Sequence, residues 1–256
     1  ELPQAGRTAR GKPIVNLLPL EQDERINAVL PIREFGEGWN VMFATANGTV
    51  KKTPLKDFSR PRASGIIAIE LREDDQLVGV DITDGAKDVM LFTSGGKAIR
   101  FNEDNVRPMG RTAAGVRGVK MPPGQKVIAL IIVDEGYVLS ATEHGYGKRT
   151  PVDDYPVHNR GGQGVIAVQT TERNGPVVAA ELVSDDDEIM LISNGGTLVR
   201  IRVDEVSTMG RNTQGVRLIN LSSGEQLVGL ERICEDGVED EAIDEAEAGG
   251  DETPQE

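Results

Sequence analysis

A hairpin-like segment occurs four times along this chain, and that repetition constrains the fold more than any other feature. The copies are Ala44-Thr-Ala-Asn-Gly48-Thr-Val-Lys-Lys52, Phe92-Thr-Ser-Gly-Gly96-Lys-Ala-Ile-Arg100, Ala141-Thr-Glu-His-Gly145-Tyr-Gly-Lys-Arg149 and Ile192-Ser-Asn-Gly-Gly196-Thr-Leu-Val-Arg200. Their turn glycines lie 48, 49 and 51 residues apart. A second element, an arginine followed four residues later by a glycine that opens an apolar strand, keeps the same period. It occurs at Arg7/Gly11, Arg111/Gly115, Arg160/Gly164 and Arg211/Gly215, with a looser copy from Arg60 to Gly65. These glycines are 54, 50, 49 and 51 residues apart. A fixed period of this size means one supersecondary unit stacked on copies of itself.

The unit reads as four strands. One precedes the hairpin turn (Val89–Thr93), a second follows it, a third opens after the anchor glycine (Val165–Val168), and a fourth follows a polar turn (Val127–Val133). Asn-Gly, Gly-Gly and His-Gly supply the positive φ that tight hairpins need. Four strands repeated at this period predict an all-β, propeller-like ring of four-stranded blades rather than a sandwich, which would show strands without a period. The expected units are residues 33–84, 85–134, 135–184 and 185–233, with 1–32 as the second half of another. That half-unit leaves an unpaired edge unless something completes it.

The formal charge of −14 is unevenly spread. Residues 235–256 hold 11 acids and no Lys or Arg, so the rest of the chain carries 31 acids against 28 bases. The tail from residue 234, poor in large apolar side chains, is expected to be disordered. With a single cysteine, Cys234, no disulfide framework can form within the chain, as in a reducing compartment. No stretch approaches 18 apolar residues and no signal peptide is visible, so a soluble, cytoplasmic protein with no membrane partner is expected. A start at Glu1 rather than Met is expected of a piece of a longer chain.

The repeat also orders the bases. Four positions after each hairpin glycine stand Lys52, Arg100, Arg149 and Arg200, flanked by Lys51, Lys97, Lys148 and Arg202. Four positions before each anchor glycine stand Arg7, Arg111, Arg160 and Arg211; Arg60 and Arg62 bracket that place in the looser copy. Arg10, Lys12, Arg117, Lys120 and Arg217 lie beside the anchor glycines. Equivalent positions of a radial repeat fall at equivalent places on each blade. These residues therefore predict a cationic belt, suited to the sequence-independent phosphate contacts of duplex DNA. Any one of them could instead brace a loop or pair with a nearby acid. On the belt reading, reversing the charge of Lys52, Arg100, Arg149 and Arg200 together weakens DNA binding and leaves the fold intact.

Catalytic constellations are not visible. Two histidines, His144 and His158, and one cysteine make a zinc site improbable on numbers alone. Gly161-Gly-Gln-Gly164 and Gly145-Tyr-Gly147 lack the Lys-Ser/Thr and the helix of a phosphate loop.

The segments Glu1–Lys12, Ala44–Thr53, Gly145–Thr150 and Gly210–Val216 resemble the C-terminal domain of DNA gyrase A proteins, and the likeness extends over residues 1 to about 233. The acidic tail is similar to that of proteobacterial members. The resemblance implies a β-pinwheel, six blades in the intact domain, whose basic rim wraps double-stranded DNA. It further implies, as partners, the remainder of gyrase A together with gyrase B in an A2B2 assembly at the nucleoid. ATP and Mg2+ would be used by other parts of that enzyme, with no cofactor in this domain. One departure is plain: the family's box of the form Q-R-R-G-G-K-G is absent, with Arg160-Gly-Gly-Gln-Gly164 only a partial echo. The related domain of topoisomerase IV, a protein-binding propeller scaffold and an enzymatic propeller are the alternatives.

The acidic tail generates a first prediction. Tethered beside a basic belt, it competes with DNA phosphate at an effective concentration that reaches the millimolar range for short linkers. Deleting residues 235–256 should tighten duplex binding most at low salt, with the gain fading as screening shortens from roughly 10 Å at 0.1 M toward 3 Å at 1 M. Dissociation constants of both chains at matched salt check this; equal affinity at low salt would dismiss the competition.

Overall fold

The structure is a computed structural model and describes residues 26–62 and 64–233, together with positions 13, 16, 18, 20 and 24. Its strands run in chain order as β1 (Asn40–Thr45), β2 (Thr49–Pro54), β3 (Leu77–Thr83), β4 (Asp88–Thr93), β5 (Lys97–Asn102), β6 (Val116–Arg117), β7 (Val127–Ile132), β8 (Tyr137–Thr142), β9 (Tyr146–Pro151), β10 (Val165–Ile166), β11 (Val177–Val183), β12 (Glu188–Ser193), β13 (Leu198–Arg202), β14 (Val216–Arg217) and β15 (Leu227–Ile233). Short 3-10 turns follow β2, β5, β9 and β13. The expected all-β bladed architecture is present.

Each hairpin closes in the same way. The turn glycine donates its N–H to the carbonyl of the last residue of the preceding strand: Gly48 to Thr45, Gly96 to Thr93 and Gly145 to Thr142, each at 2.9 Å, and Gly196 to Ser193 at 3.1 Å. The hydroxyl of that last residue then bonds the first residue past the turn, as from Thr49 N to Thr45 Oγ1 and from Thr197 N to Ser193 Oγ.

The blades are not contiguous pieces of sequence. The sheets are β3-β1-β2-β6, β7-β4-β5-β10, β11-β8-β9-β14 and β15-β12-β13. The strand after each anchor glycine therefore crosses to the preceding unit's sheet, where Val116 faces Val50, Val165 faces Ala98 and Val216 faces Gly147. The carbonyl of each hairpin glycine accepts two N–H groups from the following unit: Gly48 from Gly118 and Val119, Gly96 from Ala167 and Val168, Gly145 from Leu218 and Ile219. The crossing explains the anchor glycines. At Gly115 and Gly215 a Cβ would sit 2.5 Å from a carbonyl oxygen of the strand being crossed, and at Gly164 closer still. Gly65 has the same positive φ, but a Cβ there would meet no described atom within 4 Å. The run Ile66–Ile69 forms no strand, and β13 is an edge among the described residues. The expected half-unit 1–32 is described only in part: Asn27 Nδ2 donates to Leu77 O at 2.7 Å. The tail from residue 234 lies outside the described residues.

The core lies between blades. On β4, Val89 and Leu91 pack against Met42, Ala44 and Val50 of the sheet before, while Met90 and Phe92 pack against Val138, Val152 and Tyr155 of the sheet after. Leu139 and Ala141 repeat the arrangement with Ile189 and Leu191. A middle strand buried on both faces needs an unbroken apolar run, and Val89–Phe92 is one. Each such large side chain contributes roughly 1.5–3 kcal/mol of hydrophobic stabilisation, so adjacent units cannot separate cheaply.

The innermost strands β3, β7, β11 and β15, with residues 27–30, line a cavity of about 620 Å³. Equivalent positions on these strands hold Asp81, Ile131, Glu181 and Glu231. Burial, and then the Glu231 carboxylate, push Glu181 up to about 7; Arg232 opposes the shift and Asp81 adds to it. A carboxyl whose folded pKa exceeds its unfolded value contributes stability that is lost as pH rises. Folding stability should therefore fall between about pH 4.5 and about pH 7, and Glu181→Gln should flatten that fall. Urea unfolding at several pH values measures it; identical profiles for the two chains would contradict the assignment.

Candidate nucleic-acid interface

The bases expected to form one belt divide into three structural groups. The first follows the hairpin turns and faces inward. Lys51 and Lys148 are fully buried. Lys51 Nζ donates to the carbonyls of Ala68 (2.6 Å) and Arg111. Lys148 Nζ donates to the carbonyls of Gly210 (2.6 Å) and Arg211 and to Thr213 Oγ1 (3.0 Å). Each thus ties its own hairpin to the loop of the next unit. Burial lowers both ammonium groups to about 8, helped by the neighbouring Arg111 and Arg211. Lys52 is also buried, with Nζ 3.4 Å from Glu103 Oε2 and 2.9 Å from Glu103 O. Arg100 pairs with Asp88 at 2.8 Å and reaches the carbonyls of Val152 and Tyr155 in the next unit. Arg149 pairs with Asp185 and lies 4.8 Å from the Tyr137 ring centroid. The backbone at these positions is engaged too: Met109, His158 and Met209 donate to the carbonyls of Lys52, Arg100 and Arg149.

The sequence expectation is therefore corrected here. Lys51, Lys52 and Lys148 are closed to phosphate by burial, and Arg100 and Arg149 are committed to carboxylates and to the neighbouring unit. Their periodicity belongs to the strand exchange, since the same docking surface recurs on each blade. Reversing Lys52, Arg100, Arg149 and Arg200 would not leave the fold intact. Arg200 and Arg202 are exposed on β13, which has no outer neighbour among the described residues, yet they pair with Glu188 and Asp204.

The second group, the anchor arginines, is half-buried and braces the crossing. Arg111, Arg160 and Arg211 donate to the carbonyls of Ile67, Arg117 and Ile166, each two residues past the preceding anchor glycine. Arg160 and Arg211 also hold Asn105 O and Asp154 O, at 2.7 and 2.6 Å.

The third group faces solvent. Arg60, Arg62, Arg117, Lys120 and Arg217 are exposed, and Lys97, partly exposed, donates to Gln163 Oε1. None of these six pairs with a carboxylate among the described residues. Five further exposed bases, Arg33, Arg72, Arg107, Lys126 and Arg173, share that property among the described residues. A reading built on periodicity passes them over, because Pro156 and Ser207 stand at the places equivalent to Arg107. Only exposure and the lack of an acid partner pick them out. Arg7, Arg10 and Lys12 lie outside the described residues.

A family model described as the DNA gyrase C-terminal domain, beta-propeller, matches residues 1–33, 40–84, 87–134, 136–184 and 187–234. The chain belongs to the DNA gyrase C-terminal domain family. The five matched stretches follow the repeat described above. The chain is 58% identical to the DNA gyrase A protein of Salmonella typhimurium and 54% identical to that of Escherichia coli K12, in each case over 98% of its own length. It spans about 29% of those curated relatives. Two solved structures share the fold: the C-terminal domain of DNA topoisomerase IV (TM-score 0.82, 27% identity, covering 87% of this chain and 70% of that one) and the DNA gyrase A C-terminal domain (TM-score 0.78, 27% identity, 87% and 75%). Topoisomerase IV is thus a neighbour in structure, while gyrase A is the relative in sequence.

The division of the bases is testable by stability alone. Removing one partner of a buried ion pair costs roughly 3–5 kcal/mol, so Lys52→Met should destabilise by about that amount. Lys120→Ala, at an exposed unpaired base, should stay within about 0.5 kcal/mol of the parent. Urea unfolding followed by circular dichroism compares them; small, equal effects would return Lys52 to the surface.

Proposed function

We propose that this chain binds duplex DNA along its outer rim and wraps it, as the C-terminal domain of a DNA gyrase A protein. The observation that carries the reading is that solvent-facing bases without carboxylate partners among the described residues, with Arg60, Arg62, Arg107, Arg117, Lys120, Arg173 and Arg217 among them, lie on the outer strands and loops of successive blades. Carboxylate-paired arginines are already neutralised; these are not, and a polyanion following the rim would neutralise them. Bending 20–30 bp through 40–90° costs roughly 1–6 kcal/mol, so a wrap needs contacts from several blades, which a radial repeat supplies. Family membership supports the same reading.

The wider assignment follows. The chain would act beside the remainder of gyrase A and beside gyrase B in the bacterial cytoplasm, within an ATP-dependent type II topoisomerase that introduces negative supercoils. This domain would shape DNA and leave cleavage, ATP and Mg2+ to the other parts. The half-buried Lys97, Arg111, Arg160 and Arg211 would support the path from behind.

A salt series on short linear duplex tests the binding. With seven bases each meeting one phosphate, log K against log salt should have a slope of about −6. Replacing Arg117, Lys120 and Arg217 together by alanine should bring it to about −3.5, with folding unchanged. A parent slope near zero would remove DNA binding; an unchanged slope in the triple variant would move the path elsewhere.

A further inference from the structure

The third blade breaks the repeat at one place. The residue just past the hairpin glycine is Thr49, Lys97 and Thr197 in the other hairpins but Tyr146 here. Its ring is 7% exposed, covered by two guanidinium groups. Arg173 lies 4.7 Å and Arg217 5.3 Å from the ring centroid. Arg217 Nη2 also donates to the phenolic oxygen at 2.8 Å, and Nη1 to Asn220 Oδ1 at 3.3 Å. These hydrogen bonds, Arg217's first and then Arg173's, hold the phenol below its ordinary range.

The three side chains come from three segments, and the strand exchange brings in the third, Arg217, from the next unit. Tyr146 opens β9. Arg217 is on β14, supplied by the next unit and placed directly opposite Tyr146 in the ladder. Arg173 sits on the turn before β11, and hydrogen bonds hold that turn. Asn174, fully buried, accepts from Thr171 N and Thr171 Oγ1 and donates to Gln169 O and Gln214 O. His144 Nδ1 lies 3.1 Å from Arg173 O. The turn has also lost an acid. Where blades one and four carry Asp75 and Glu225, which bond the hairpin hydroxyls of Thr45 and Ser193, blade three has Gly175. Glu143 and Glu172 are near in sequence, but neither forms an ion pair with Arg173 or Arg217.

Two like charges on one aromatic ring, no farther apart than about a Debye length of roughly 10 Å at 0.1 M salt, repel unless an anion joins them. The cation–π contacts offset part of that repulsion and fix both guanidiniums before any ligand arrives. We propose that Arg173 and Arg217, held on Tyr146, form a pre-organised clamp for a backbone phosphate of the DNA, with Tyr146 as the positioning residue. The proposal rests on the rim reading above and makes the third blade a fixed point on it, whereas bases on flexible side chains such as Lys120 lose rotamer freedom on each contact.

The test is a double-mutant cycle on duplex binding with the full chain, across a salt series. Arg173→Ala and Arg217→Ala should each weaken binding about tenfold at 0.1 M salt, the size of one charge-assisted contact, and each should reduce the salt slope by about 0.9. Tyr146→Leu keeps both charges; it should weaken binding several-fold in the parent and have little effect once both arginines are alanine. Tyr146→Phe, which keeps the ring, should fall between parent and Tyr146→Leu, and it carries the test alone if Tyr146→Leu lowers the thermal midpoint. Lys126→Ala, at an exposed base on the second blade, is the comparison. If the arginine variants match Lys126→Ala, or if the tyrosine substitution has the same effect in both backgrounds, there is no clamp. Those outcomes leave the rim reading standing; it fails separately, if the parent chain shows no salt-dependent binding.

Discussion

The crossing of the backbone at Gly115, Gly164 and Gly215 is the constraint on which the rest of this molecule depends. At each crossing a short strand leaves its own unit, passes over the hairpin of the unit before, and presents two N–H groups to that hairpin's glycine carbonyl. The crossing strand comes so close that no side chain fits at the anchor position. Every described blade but the last is thereby a joint product of two units. The three larger apolar cores obey the same rule, since each lies between sheets, while Val41, Phe43 and Leu55 form a smaller one within the first unit.

This arrangement also sorts the charges. A strand exchange repeated at a fixed period needs a fixed set of polar braces, and Lys51 and Lys148, Lys52 with Glu103, and the anchor arginines supply them. Lys52, Arg100 and Arg149 and the anchor arginines recur with the joint, whereas Ile99 stands where the first and third units have Lys51 and Lys148. What remains for a ligand is the set of bases that the joint does not use. Those lie on the outer strands and loops, where the exchange brings residues of different units side by side. Tyr146 and Arg217 are 71 residues apart in sequence and adjacent across the β9–β14 pair.

The inner side of the ring has the opposite character. Asp81, Glu181 and Glu231 stand at equivalent places around one cavity, and burial and the Glu231 carboxylate push Glu181 up to about 7. A rim rich in unpaired bases and an acidic centre favour a polyanion outside the ring rather than one threaded through it.

The sequence by itself determined the unit, its number of strands, its hairpin turns and the bladed class of the fold. Each of these depends on local chemistry: a glycine where φ is positive, a hydroxyl at the strand end, an apolar run long enough for a strand buried on both faces. It also indicated that the bases are ordered. It could not say which of them are available, and the reading that took Lys51, Lys52, Lys148, Arg100 and Arg149 as a DNA-facing belt failed for that reason. A structural brace and a ligand contact leave the same periodic trace in a repeat. Tertiary structure alone decided between them, because burial and the presence of a carboxylate within reach depend on which unit's strand completes which blade. The same pairing of distant segments set Arg173 and Arg217 on one tyrosine, a juxtaposition that has no period and so no signature in the sequence.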